Sequence, residues 1–284
     1  GHIYPFRIIL PRPAGIAGGI RLLGVDLGLK RSLLALGAGA LVLSPVQSIG
    51  AAAAAPKVPA AAKHPVVAII DSGVARTPEI GGAVVAEYDM AVKPGRPAFE
   101  PRYDHGTMVA TILLREAKQP LDIVSLRIDD LQGCPEGANP PCQRSVEPIV
   151  EAIRKATDLG VSVINISLNL KDDPRIVNAV KDAAKHGITV VLAAGNDGAD
   201  HPGNLGMAKA GFPNTVLVGA LDAAGQPWKG TNRPEAGDPG YRYVWQRGVE
   251  VPTELADGSQ VVATGTSFAA PIEAARLLAP AKQT

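Results

Sequence analysis

The sequence predicts an α/β protein, a doubly wound and mainly parallel sheet with helices on both faces. Three observations carry this. From Val66 onward, strand-like and helix-like patterns alternate along the chain. The strand-like runs are almost continuously apolar, as strands buried on both faces are, rather than alternating. The 31 glycines and 25 prolines suit many tight turns and argue against a helical bundle.

In chain order, Val66–Ile70 is a short apolar run that stops at Asp71-Ser72-Gly73, a strand ending in a turn. His105, Met108, Val109, Ile112 and Leu113 fall at i, i+3, i+4, i+7 and i+8, one helical face with His105 in its first turn. Leu121–Ile128 reads as a strand. Ser145 is placed to cap a helix whose first turn tolerates Pro148, and Ile149, Ile153 and Ala156 form its apolar stripe up to Gly160. Val161–Ile166 is the next strand. Pro174 opens a helix carrying Ile176, Val177 and Val180 that ends at His186-Gly187. Thr189–Ala193 and Thr215–Val218 are two more strands. A last helix starts at Thr266-Ser267, with Phe268, Ile272, Ala275 and Leu278 on one side.

The 284 residues divide unevenly in charge. Residues 1–31 hold five of the 28 basic side chains and only Asp26 of the 27 acidic ones, and residues 32–56 hold no charge. The body from residue 57 is therefore mildly acidic, which disfavours a nucleic-acid surface. Lys30-Arg31, the apolar run 33–43 and the small residues of SPVQSIGAAAAAP form a basic, apolar and cleavable series. Ser44, Pro45, Gln47 and Ser48 interrupt the charge-free run, so it reads as a signal peptide rather than an anchor. The expected organisation is a basic leader and signal-like segment over 1–55, an Ala/Pro-rich linker over 56–65, and one domain over 66–284. Secretion or a periplasmic location follows, with no stable membrane insertion after signal removal. The two cysteines, Cys134 and Cys142, lie in one loop-like stretch. They are either two free thiols or, behind an export signal, a local disulfide.

In a parallel sheet the site lies beyond the carboxyl ends of the strands. That rule singles out IIDSGV (69–74), DHGTMVAT (104–111), VVLAAGNDG (190–198) and GTSFAAP (265–271). Asp71 ends a strand, and His105 and Ser267 each start a helix. Asp, His and Ser are the set that nucleophilic acyl transfer requires. A hydroxyl attacks only when an imidazole takes its proton, and the imidazole needs an acid partner to hold its tautomer. The Asn196 amide is a candidate donor to a developing oxyanion. Singly, each has a plainer reading: Asp71 as a turn cap, His105 and Ser267 as helix caps, Asn196 as a left-handed turn residue.

Together these strings resemble the subtilisin-like (subtilase) serine peptidases, with their D-[ST]-G, H-G-T-x-V-A and G-T-S-x-A-x-P boxes. The chain order Asp, His, Ser is the one known for subtilisin. VSVINISLN (161–169) is similar to the strand lining that family's substrate cleft, AAGNDG to its oxyanion segment, and GFPNTVLVGA (211–220) to a further strand. The resemblance implies a subtilisin-like fold and a serine endopeptidase acting on protein or peptide substrates. It implies that Asp71 orients His105, that His105 is general base and then acid, that Ser267 is the nucleophile and that Asn196 is the oxyanion donor. Ser167, Leu168, Asn169, Ala194 and Gly195 would flank the P1 side chain of an extended peptide. Calcium is common in the family, but no Asp/Glu cluster matches such a site, so no cofactor or metal ligand is assigned.

The sequence departs from the family pattern in places. Asn169 stands where glycine is usual, which predicts a narrower or more polar pocket. Met108 replaces a common histidine, and Ile272-Glu273 a common His-Val. Seventeen residues follow Ser267, fewer than is usual, and little chain separates the signal-like segment from Val66 for the customary prodomain. A catalytically impaired, peptide-binding relative is the alternative reading. A nucleotide-binding sheet lacks its glycine motifs here, and a lipase-type hydrolase lacks G-x-S-x-G around Ser267.

Overall fold

The computed structural model describes residues 59, 61–91, 100–136, 138, 141–237 and 240–280. The leader and signal-like segment predicted over 1–55 lie outside the described residues, as do residues 56–58 and 60 of the linker. Seven strands make one sheet: β1 (Val66–Asp71), β2 (Val84–Asp89), β3 (Asp122–Arg127), β4 (Val163–Ile166), β5 (Thr189–Ala193), β6 (Thr215–Leu221) and β7 (Arg242–Arg247). Their order is β2-β3-β1-β4-β5-β6-β7, and every pairing is parallel. The chain builds β2 and β3 on one side of β1, then β4 to β7 on the other. That reversal opens a crevice beyond the carboxyl ends of β1 and β4.

Both faces of the sheet are covered, which is why β1 and β3 are buried at every position. On one face Ala68, Ile70, Ile164 and Leu192 pack against α2 (Glu147–Leu159), α3 (Pro174–Lys185) and α4 (Leu205–Gly211) through Ile153, Val180 and Met207. On the other, Val67, Ile69, Val191 and Val218 meet Val109 and Leu113 of α1 (His105–Glu116) and Ala270 and Ala274 of α5 (Thr266–Leu277). A two-stranded antiparallel hairpin, β8 (Val251–Glu254) and β9 (Gln260–Ala263), lies against α1 and α5, where Val251, Val261 and Ala263 pack with Met108, Ile112 and Phe268.

The local signals act as their chemistry requires. The Ser145 hydroxyl accepts the Glu147 N–H at 3.2 Å as α2 begins, and left-handed Gly160 ends that helix with its N–H on the Ala156 and Thr157 carbonyls. Asp173 caps α3, accepting the Arg175 N–H at 2.9 Å. At the far end of the sheet the Asp122 carboxylate accepts the backbone N–H groups of Lys63 and His64, tying the linker's last residues to the start of β3.

Five features differ from the sequence expectation. β2, β7, the β8–β9 hairpin and α4 were not anticipated. β2 and β7 are the sheet's edges, and their polar residues, such as Glu87 and Gln246, break the buried-strand signature. The apolar side expected of α5 is divided: Phe268 and Ile272 face the hairpin, and Ala269, Ala270, Ala274 and Ala275 face the sheet.

Candidate active site

Asp71 is the last residue of β1 and is fully buried. His105 opens α1, and its Nδ1 lies 2.9 Å from each Asp71 carboxylate oxygen. The Ser72 N–H also donates to Asp71 Oδ1, at 2.7 Å. An acceptor-only carboxylate facing Nδ1 selects the tautomer with its proton on Nδ1. Nε2, which faces away from Asp71, is then the nitrogen able to take a proton.

This contact depends on how closely α1 approaches the turn after β1. Any Cβ on Gly106 would strike the Gly73 carbonyl, with Asp71 Cβ itself 3.2 Å away. Glycine at 106 is therefore a steric requirement of the Asp71–His105 pair. Ser72 adds a second tie, its hydroxyl accepting the Gly106 N–H at 3.1 Å and donating to the Tyr103 carbonyl at 3.2 Å. Tyr103 in turn accepts the Cys134 N–H on its phenol oxygen at 2.7 Å. Cys134 and Cys142 form a disulfide with Cα atoms 5.2 Å apart, closing the loop that supports Tyr103.

Ser267 lies in the first turn of α5 and is 5% exposed. N–H groups at such an end have no intrahelical partner and favour negative charge. The next residue, Phe268, packs its ring on that of His105 with centroids 5.5 Å apart. The fold thus brings Asp71 into contact with His105, 34 positions away, and brings the start of α5 against the same imidazole.

Asn196 follows β5, and its side chain is oriented by Thr266. Its Oδ1 accepts both the backbone N–H and the hydroxyl of Thr266, each at 2.9 Å, while Thr266 Oγ1 accepts the Gly195 N–H at 3.1 Å. With its oxygen committed to two donors, the amide can present only its NH₂ elsewhere. Among the described residues other than glycine, only Asn204 and Glu250 have positive φ, so Asn196 is not a left-handed turn residue.

The residues expected to flank P1 form two rims. Ser167, Leu168 and Asn169 leave β4, and Ala194 and Gly195 leave β5. Sequence reasoning missed what joins them. Asn204, 3% exposed and left-handed at φ 58°, donates from Nδ2 to the Leu168 carbonyl at 2.7 Å and the Ala193 carbonyl at 2.9 Å. Its Oδ1 accepts the Leu170 N–H at 2.9 Å. The only sequence signal was a Gly-Asn pair after a proline, which reads simply as a turn. Beside the β4 exit a cavity is lined by Arg144, Val146, Ile149, Leu170, Lys171 and Ile176. Among the described residues no group of three or more His, Cys, Asp or Glu side chains is placed to hold a metal ion.

Comparison with known proteins agrees with this geometry. Residues 62–284 match the family model described as Peptidase_S8, Subtilase family. The chain belongs to the subtilase family. Among curated subtilases and their kin, the thermophilic serine proteinase of Bacillus sp. (strain AK1) is 30% identical over 207 residues, covering 72% of this chain and 49% of that protein. Subtilisin-like protease 2 of Arthroderma otae is 29% identical over 184 residues, 63% of this chain and 41% of the relative. The chain thus spans less than half the length of these relatives. A cold-adapted subtilisin-like serine proteinase superposes with a TM-score of 0.59 at 23% identity, covering 74% of this chain and 72% of that one. The self-cleaved protease domain of PatA gives 0.57 at 23% identity, covering 75% and 78%. At such identities these superpositions establish the α/β subtilisin-like fold.

Proposed function

We propose that this chain is an exported serine endopeptidase that hydrolyses peptide bonds through an acyl-enzyme on Ser267. The observation that carries the reading is His105, held by Nδ1 on both oxygens of buried Asp71 and packed by its ring against the residue after Ser267. Ser267 Oγ attacks the scissile carbonyl carbon as His105 Nε2 takes its proton. The carbonyl electron pair moves onto oxygen, where the Asn196 NH₂ and the Ser267 backbone N–H stabilise the charge, the Thr266 and Phe268 N–H groups being bonded to Asn196 Oδ1 and the Gly265 carbonyl. Collapse of the intermediate breaks the C–N bond, and His105 returns the proton to the departing amine. Water, deprotonated by the same imidazole, then cleaves the ester and restores the serine. Asp71 remains ionised throughout and stabilises the imidazolium.

Protein or peptide substrates would lie as an added strand between the β4 and β5 exits, with P1 between the two rims. Two features support export to a secreted or periplasmic location: the signal-like series ahead of residue 56 and the Cys134–Cys142 disulfide. Among the described residues no helix is long and apolar enough to cross a membrane. The deciding experiment is labelling by a fluorophosphonate probe together with cleavage of a mixed peptide library. Wild-type protein should label at Ser267 and cleave, and Ser267→Ala should do neither. Binding without labelling or cleavage would leave a peptide-binding protein in place of an enzyme.

A further inference from the structure

We propose that the Asn169 carboxamide closes the P1 site, so that this chain accepts only small side chains, those of glycine, alanine and serine, at that position. The proposal rests on reading the β4 and β5 exits as the walls that receive P1. Between those walls runs the segment Gly203-Asn204. The Gly203 N–H donates to the Ala194 carbonyl at 2.7 Å, so this segment is held to the β5 rim. The Asn169 side chain comes from the β4 rim and lies directly on the Gly203 Cα. A Cβ at 203 would strike Asn169 Oδ1 and would have Asn169 Cγ at 3.1 Å and the Ala194 carbonyl oxygen at 3.2 Å. The carboxamide therefore reaches from one rim to the backbone beside the other, across the space a P1 side chain would fill.

The base of this side chain is fixed. The residue before it, Leu168, gives its carbonyl to Asn204 Nδ2, and the residue after it, Leu170, gives its N–H to Asn204 Oδ1. Asn204 itself is buried and bonded to the Ala193 carbonyl. With both neighbours on one clasp, the Asn169 Cα–Cβ direction cannot swing aside, and only side-chain rotation remains. A methyl or hydroxymethyl P1 group fits in front of the carboxamide. The Asn169 side chain is exposed to solvent on its outer side, and a leucine or phenylalanine must rotate its carboxamide off Gly203 and lose that contact. Pocket volume acts on kcat/KM because a side chain that does not seat also misplaces the scissile carbonyl.

The test is a set of quenched peptides identical except at P1, carrying Gly, Ala, Ser, Leu or Phe, assayed with wild type, Asn169→Gly and Asn169→Ala. Wild type should favour P1-Ala over P1-Phe by about tenfold or more in kcat/KM. In Asn169→Gly the Phe/Ala ratio should rise at least about tenfold, with Asn169→Ala between. Wild-type cleavage of Phe as fast as Ala overturns the proposal, and so does a ratio unchanged in both variants. Affinity is read in parallel with the same peptides, made fluorescent, on Ser267→Ala protein with and without Asn169→Gly. Preference for P1-Ala that is lost in the double variant supports closure even where no turnover occurs, and then only the peptidase reading fails. Equal affinities across the set, or binding of none of the peptides, overturn the closure itself.

Discussion

Asn204 offers the sharpest test of how the two rims are joined. Its side chain makes three hydrogen bonds, to the Leu168 carbonyl, the Ala193 carbonyl and the Leu170 N–H, at 2.7, 2.9 and 2.9 Å. At about 1 kcal/mol net for each, Asn204→Gly should cost about 3 kcal/mol. Glycine keeps the left-handed backbone at φ 58° without steric cost. Alanine loses the same bonds and adds about 1 kcal/mol for a Cβ in that conformation, so Asn204→Ala should cost about 4 kcal/mol. The order is diagnostic, because in a regular helix alanine is the better residue of the two. Urea unfolding of wild type and both variants, with m-values compared to confirm a common transition, gives the differences directly. The same variants should raise KM more than they lower kcat, since freeing residues 168–170 loosens a wall rather than the nucleophile. A cost below about 1 kcal/mol for both variants would refute the clasp. An alanine variant as stable as the glycine variant would show that the left-handed conformation is not retained.

Two further outcomes follow from the site and from the sheet edge. Asn196→Ala should lower kcat about 10²–10³-fold with little change in KM, a magnitude known from subtilisin itself; Asn196→Asp keeps an acceptor for Thr266 but loses the donor, so kcat above about a tenth of wild type in either folded variant would remove Asn196 from the mechanism. Burial pushes the Glu87 carboxyl up from 4.5 to about 8 against the opposing charges of Arg76 and Arg127, and neither of its oxygens finds a hydrogen bond among the described residues. The folded state then holds a proton that the unfolded state releases above about pH 4.5, so stability should fall as pH rises toward about 8 and level off beyond it. After discounting for partial solvent screening, Glu87→Gln should gain about 2 kcal/mol over wild type at about pH 9 and little at about pH 5, in urea unfolding at both pH values. Parallel stability curves for the two proteins would show that Glu87 does not titrate in this range.

What the sequence made legible were positions whose constraints are local. β1 and β3 through β6 stood out because strands flanked on both sides and covered on both faces must be almost continuously apolar, as in VVAII before Asp71. Edge strands escape that demand. β2 carries Glu87 and Asp89, and β7 begins and ends in arginine, so neither run looked like a strand. The β8–β9 hairpin packs its apolar residues on α1 and α5 rather than on the sheet, and each strand has only four residues, too few for a period to emerge.

The site divides along the same line. Asp71, His105, Asn196 and Ser267 each sit within two residues of a glycine or threonine at or just past an element boundary, and that local chemistry marks them. Their arrangement is non-local: Asn196 is oriented by Thr266, 70 positions on, and no neighbouring residue foretells it. The rims expected to receive P1 lie further from view. Asn169 stands out in the sequence only as a substitution for glycine. What that substitution does depends on Gly203, which leaves room for the carboxamide, and on Asn204, which fixes its base. Those two residues belong to a turn that follows β5 in the chain, and they meet residues 168–170, beyond the end of β4. The chemistry of this chain is therefore written in short strings. The selectivity proposed for it rests on contacts between strand exits, where Gly203 leaves room for the Asn169 carboxamide and buried Asn204 fixes its base.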